Sequence, residues 1–277
     1  MNKILNLLKW GATLGKEPQN FLGASWIQSF LKRVPSSKKR IWALRILSLS
    51  PHYFINPDQP EFKGLSNDEY LEKAFQIATD SRRKINDHIL NPYLKPDDAV
   101  LDYGCGPGFL AKAVSTHVRS VHALDISSGV LACSQILNAA PNIEYITAAE
   151  NGLKTIADES IDVIYSFAVA QHLTDEILDS VLENCRKKLK PNGLLFLHIQ
   201  LQQQGWRTED DWKSDQSVQG KIKYRYGLHC FWRTEEKYLE MVANHGFGDA
   251  KIKPVKNLIV EDFDDIYHQH LLTARKK

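Results

Sequence analysis

Cysteine is scarce in this chain, and the four present, Cys105, Cys133, Cys185 and Cys230, are scattered without a C-x-x-C pair or a histidine at ligand spacing. That excludes a disulfide framework, predicts no metal site, and makes a reducing cytoplasm the simplest home. Long apolar runs are missing too. Near the amino end, positions 4–8 are interrupted by Asn6 and followed by Lys9, too short for a membrane span or a signal-peptide core. Acidic residues are nearly absent from the first 50 positions, where Glu17 alone stands against nine lysines and arginines. Since the whole chain of 277 residues carries only +2, that segment at +8 leaves the remainder at −6. The length suits one large domain with an appendage.

The basic segment also holds Trp10, Phe21, Trp26, Phe30 and Trp42 among leucines and isoleucines at helix-like spacing. Two readings stand side by side. One is an amphipathic region over residues 1–50 drawn to anionic lipid or a lipid-linked substrate, each cation near such a surface contributing about 1 kcal/mol. The other is a helical cap that packs its aromatics inward and leaves its lysines in water. An RNA-binding reading has no arginine-rich stripe or recognised module behind it. Pro51, Pro57 and Pro60 then mark an irregular connection, which sets a boundary between residues 1–60 and 61–277.

The most informative stretch is V-L-D-Y-G-C-G-P-G-F-L-A at 100–111. An apolar strand ends at Asp102 and Tyr103 and breaks into a turn where Gly104, Gly106 and Gly108 remove side chains that would block a ligand from the backbone. A dinucleotide fingerprint needs its third glycine three residues after the second; Phe109 stands there, so nicotinamide cofactors are disfavoured. The Gly-Lys-Ser/Thr ending of a P-loop is also lacking.

This turn, an acidic residue and a short spacer before G-x-G-x-G, resembles the cofactor loop of class I S-adenosylmethionine-dependent methyltransferases. A second match is S-V-H-A-L-D-I-S, where Asp125 ends an apolar strand. The resemblance implies that this acid holds the ribose hydroxyls, two charge-assisted hydrogen bonds worth roughly 1.5–3 kcal/mol each. The third strand matches less well: Ala148 and Ala149 precede Glu150 and Asn151, which become the candidates for the adenine contacts. The fourth strand, Ile161 to Ser166, leads into a loop reaching His172, with Asp162 read as structural; the fifth follows an expected helix stop at Pro191-Asn192-Gly193. The matches span about residues 98–200.

Strand and helix alternate, which predicts an α/β fold with a mostly parallel sheet, helices on both faces and ligands outside the carboxyl ends of the strands. The resemblance adds a Rossmann-like, doubly wound sheet of seven strands, one antiparallel near the end. Crossover helices are expected at 109–118, 128–140 and 175–189, the last capped by Thr174. A helix capped by the Ser66–Glu69 box should run to about Leu90; Arg82 and Arg83 on it either reach the cofactor's methionine carboxylate or face solvent. Residues 201–232 break the alternation. Their Trp206, Trp212, Tyr224, Tyr226, His229 and Trp232 read as walls of an acceptor pocket or as a loop with buried aromatics. A helix from Thr234, stopped by Gly246, and strands near 250–253 and 266–274 close the chain.

The resemblance therefore implies S-adenosyl-L-methionine as cofactor, bound by Asp102, Tyr103, Gly104, Cys105, Gly106, Gly108, Asp125, Ile126, Glu150, Asn151 and Phe167. Methyl transfer to a hydroxyl requires a base, and His172, His198 and His229 are the candidates, His172 foremost. The expected acceptor is a hydroxyl or amine of a small molecule, glycan or lipid-like precursor, with a cytoplasmic location and peripheral membrane contact left open. Nucleic acid is disfavoured, because S-F-A-V stands where base-amine methyltransferases of this kind carry N-P-P-Y or D-P-P-Y. RNA methylation elsewhere and a cofactor-binding scaffold without catalysis remain the alternatives.

Overall fold

The computed structural model describes residues 25–49, 53, 59–148, 152–201, 207–225, 229–259 and 269–277. Among the described residues there are seven strands: β1 (Ala99–Tyr103), β2 (Ser120–Asp125), β3 (Ile143–Thr147), β4 (Ile161–Ser166), β5 (Leu189–Ile199), β6 (Phe247–Pro254) and β7 (His270–Lys276). They form one sheet in the order β3-β2-β1-β4-β5-β7-β6. Pairing is parallel from β3 through β5, and β7 runs antiparallel to both its neighbours. The strand order reverses between β1 and β4, which opens a crevice at their carboxyl ends.

Among the described residues the helices are α1 (Ser25–Arg33), α2 (Ser36–Leu47), α3 (Asn67–Ile85), α4 (Phe109–Val114), α5 (Ser128–Leu137), α6 (Asp175–Lys188), α7 (Glu209–Ser214), α8 (Val218–Arg225) and α9 (Glu235–Asn244). Period-two alternation divides the strand side chains between two layers. Leu101, Ile164, Leu195 and Leu197 pack with Leu178, Leu182, Tyr238 and Met241 of α6 and α9. Val100, Val163, Tyr165 and Phe196 pack on the opposite face with Leu110 and Leu131 of α4 and α5. Asp162 is structural, accepting from the Ala99 N–H at 2.9 Å and pairing with Lys190 at 2.6 Å.

Helices α1 and α2 dock on α5: Ile27, Leu31, Ala43, Ile46 and Leu47 share one cluster with Val130, Ala132 and Cys133. Leu44 joins Leu71, Phe75 and Phe109, so the same layer reaches α3 and α4. The Ser66–Glu69 capping box opens α3, a contribution of about 1 kcal/mol. The helix then widens into a π-helical turn over Asn86–Leu90. Lys32, Arg33 and Lys38 are left on the exposed side of the first two helices.

Three expectations about elements are corrected. Two crossover helices are shorter than expected, α4 ending at Val114 and α5 at Leu137. The segment Pro191-Asn192-Gly193 does not stop a helix; α6 ends at Lys188 and β5 has already begun at Leu189. Between Ile161↔Leu189 and Val163↔Leu194 the register slips, and β5 bulges there. A bulge suits Pro191, which has no N–H for the ladder, and Asn192, whose φ is 63°. Residues 201–232 are not one loop either: they carry α7 and α8, and their return is held by a bridge from Arg207 to Phe231.

Candidate functional site

At the crevice, the turn after β1 is forced into left-handed backbone at Gly104, Gly106 and Gly108, with φ of 81°, 51° and 78°. Side chains are also excluded there by neighbours. A Cβ on Gly104 would overlap Val169, and one on Gly108 would overlap the Tyr145 hydroxyl. The turn is anchored from three directions. Gly104 and Cys105 donate to the Leu124 carbonyl at 2.8 and 2.9 Å, Gly106 donates to Asp125 Oδ2 at 2.9 Å, and Ser134 and Asn138 donate to the carbonyls of Gly106 and Pro107.

Asp125 also accepts the Ser127 N–H on Oδ1 at 2.9 Å. A carboxylate offers about four lone-pair positions, and these two bonds occupy one on each oxygen. Burial raises the Asp125 pKa, with the N–H groups of Ser127, Gly106 and Ile126 pulling the other way. Beside it Asp102 is buried, its Oδ2 has no partner among the described residues, and burial together with the Asp125 charge pushes its pKa well up. The Arg82 charge opposes that shift, and its Nη1 donates to Ser81 Oγ at 2.9 Å, whereas Arg83 pairs with Asp80 on its own helix at 3.5 Å. Ile126 is 57% exposed beside the acid, and Tyr103 is partly buried against the α6 layer. Burial raises the Cys105 thiol pKa, so it is a neutral packing group. Glu150 and Asn151 lie outside the described residues.

Tyr53 is the residue the sequence did not announce. Its ring edge stands 3.3 Å from where a Cβ of Gly106 would be, and burial and the Asp125 charge hold its phenol well above the usual range. Ser134 and Asn138 were equally silent, being ordinary polar positions in and after α5. Tyr53 has no local signal at all; the pairing depends on where α2 docks.

The loop after β4 forms the opposite wall. Ala168 takes a left-handed φ of 60°, a strained value for a residue with a Cβ. Its N–H donates to His198 Nδ1 at 3.1 Å, and Phe167 lies parallel to the His198 ring at 5.9 Å between centroids. That places Phe167 with His198 at the β4–β5 boundary. An Nδ1 that accepts a hydrogen bond leaves the proton of the neutral His198 ring on Nε2.

His172 has the opposite tautomer. Its Nδ1 lies 2.7 Å from the His229 carbonyl, which can only accept, so the neutral ring carries its lone pair on Nε2. His229 Nε2 reaches the His172 carbonyl at 3.2 Å in return, and burial lowers the His229 pKa, keeping it neutral. The return segment is sewn down further. Phe231 donates to the Gln171 carbonyl at 2.7 Å, and Arg233 spans Asp175 and the Leu173 carbonyl at 2.7 and 2.6 Å. His172 and His229 are thus brought together, with Trp212 and Tyr224 against the His229 ring.

A family profile for a methyltransferase domain matches residues 101–197. The ubiquinone biosynthesis O-methyltransferase of Pseudomonas fluorescens (strain Pf0-1) is 31% identical over 99 residues, covering 35% of this chain and 42% of that protein. Phosphoethanolamine N-methyltransferase 1 of Zea mays is 27% identical over 200 residues, covering 70% of this chain and 37% of that one. The chain therefore spans less than half the length of these curated relatives. Among solved structures, phosphoethanolamine N-methyltransferase 2 of Haemonchus contortus, in complex with phosphomonomethylethanolamine and S-adenosylhomocysteine, superimposes with a TM-score of 0.53 at 17% identity, covering 90% of this chain and 60% of that chain. That likeness is one of fold.

Proposed function

Because this chain belongs to the class I S-adenosylmethionine-dependent methyltransferases, we propose that it transfers a methyl group from that cofactor to a hydroxyl or amine of a small molecule, glycan or lipid-like precursor. The observation that carries the reading is the bond from the Gly106 N–H to Asp125, which joins the glycine turn to the carboxylate that ends β2. In this reading Asp125 receives the two ribose hydroxyls, and Ile126, Glu150 and Asn151 border the adenine. Tyr103, Gly104, Cys105, Gly106 and Gly108 line the cofactor's path, and Asp102 meets its cationic end. Phe167 walls the methyl side.

The cofactor supplies a methyl group already activated by the sulfonium charge. The chain's own task is then alignment and exclusion of water, worth up to about 7–11 kcal/mol when reacting atoms are held in line. The loop after β4 and the return segment at 229–233 provide that enclosure. For a hydroxyl acceptor, His172 Nε2 takes the proton while the His229 carbonyl holds the ring's tautomer.

Among the described residues no helix is long and apolar enough to cross a membrane. A cytoplasmic protein that touches anionic membrane through Lys32, Arg33 and Lys38 is the location we favour, since these cations stay exposed after α1 and α2 have docked. Calorimetric titration with S-adenosylmethionine, S-adenosylhomocysteine and NADH tests the central claim. Micromolar binding of the first two alone supports it. Failure of both to bind makes a scaffold without catalysis the better description.

A further inference from the structure

The carboxyl end of β5 holds buried amides that the reading above does not use. Gln200, the residue after β5, is 0% exposed, and neither its Oε1 nor its Nε2 has a hydrogen-bond partner among the described residues. Gln269, just before β7, is 9% exposed and its Oε1 is in the same condition. The last register pair of these antiparallel strands joins Ile199 to His270, so the two glutamines stand opposite each other one step beyond it. Pleat alternation puts Gln200 on the strand face that carries His198. A buried carboxamide without a partner is unfavourable by roughly 1–3 kcal/mol, yet two occur side by side where this kind of fold receives its ligands.

We propose that Gln200 and Gln269 are specificity-determining residues that recognise the methyl acceptor, and that this acceptor is a neutral molecule whose hydroxyls both donate and accept hydrogen bonds. The proposal rests on the methyltransferase reading and narrows its acceptor. Carboxamides match hydroxyls in kind, each having donor and acceptor atoms. They carry no charge for a phosphate. The buried cation nearest in the chain's bonding pattern, Arg233, whose N–H donates to the Gln200 carbonyl at 3.4 Å, is already spent on Asp175 and the Ala170 and Leu173 carbonyls.

The test uses the full chain saturated with S-adenosylhomocysteine and catechol as the neutral dihydroxy probe, with phosphoethanolamine as the charged one, in calorimetry. Wild type is expected to bind catechol and not phosphoethanolamine. Gln200→Met, close in volume, and Gln269→Leu are each expected to weaken catechol at least tenfold, leave S-adenosylhomocysteine affinity within twofold, and keep or raise the apoprotein's unfolding temperature, because an unpartnered polar group is removed. Binding of phosphoethanolamine in preference to catechol, or no catechol binding by wild type, overturns the proposal. So does a lowered unfolding temperature with catechol affinity unchanged, the mark of amides that serve the fold alone. Loss of S-adenosylhomocysteine binding by wild type would strike the methyltransferase reading instead.

Discussion

Gly106 and Asp125, 19 residues apart in sequence, are joined by a 2.9 Å hydrogen bond from the glycine N–H to the carboxylate. The turn after β1 and the acid ending β2 are therefore one construction, in which the acid fixes the loop. Replacing Asp125 with alanine is expected to weaken S-adenosylmethionine binding tenfold or more, a loss of about 1.4 kcal/mol. Calorimetry measures it directly. An unchanged affinity would remove the ribose-holding role.

Asp102 makes the stability of the apoprotein depend on pH. Its pKa in the folded chain lies well above the ordinary carboxylate value, through burial first and the Asp125 charge second. In the folded apoprotein it therefore binds a proton at pH values where the unfolded chain does not. From linkage, stability falls as pH rises through the folded pKa and is recovered on acidification toward the ordinary carboxylate range. Asp102→Asn is expected to unfold at a higher temperature than wild type at pH 8, with the difference shrinking toward pH 4. If the carboxylate meets the cofactor's cationic end, the same variant binds S-adenosylmethionine more weakly at pH 8. A variant less stable at pH 8 would refute the linkage.

For His172 the structure fixes which nitrogen can work. Because Nδ1 is engaged with the His229 carbonyl at 2.7 Å, only Nε2 carries a lone pair in the neutral ring. Glutamine in its place is expected to lower turnover of a hydroxyl acceptor by about 10²–10⁴-fold with cofactor affinity nearly intact. Single-turnover methyl transfer separates the two effects, and full activity would exclude His172 as the base.

The sheet was largely legible because β1, β2 and β4 are short apolar runs ending in polar or glycine turns, a local signal. Pro191-Asn192-Gly193 misled because its residue types serve a bulge as well as a helix stop, and only pairing with β4 decides between them. Helices α7 and α8 escaped notice for lack of an apolar stripe, although the Thr208–Asp211 capping box was there to be read. The acid and glycines of the site were legible as a motif. Tyr53, Ser134, Asn138 and the paired glutamines were not, since each gains its meaning from a chain segment that folding brings alongside.

The basic amino-terminal segment gives the last prediction its form. Removing residues 1–50 would be a poor test of membrane contact, because α1 and α2 contribute Ile27, Leu31, Leu44 and Leu47 to clusters shared with α5 and with α3 and α4. Deleting them would expose apolar surface and weaken the walls that carry Ser134 and Phe109. Changing charge alone avoids this. Lys32, Arg33 and Lys38 are exposed, whereas Arg40 and Arg45 are tied to Glu72 and Asp68. Each free cation near an anionic surface contributes about 1 kcal/mol, so Lys32→Gln, Arg33→Gln and Lys38→Gln together are expected to reduce sedimentation with phosphatidylserine vesicles about a hundredfold in partition coefficient, with the unfolding temperature unchanged. Addition of salt should reproduce the loss in wild type, as screening requires. Sedimentation that survives both the triple change and high salt would mean that these cations are only the solvated side of a helical cap.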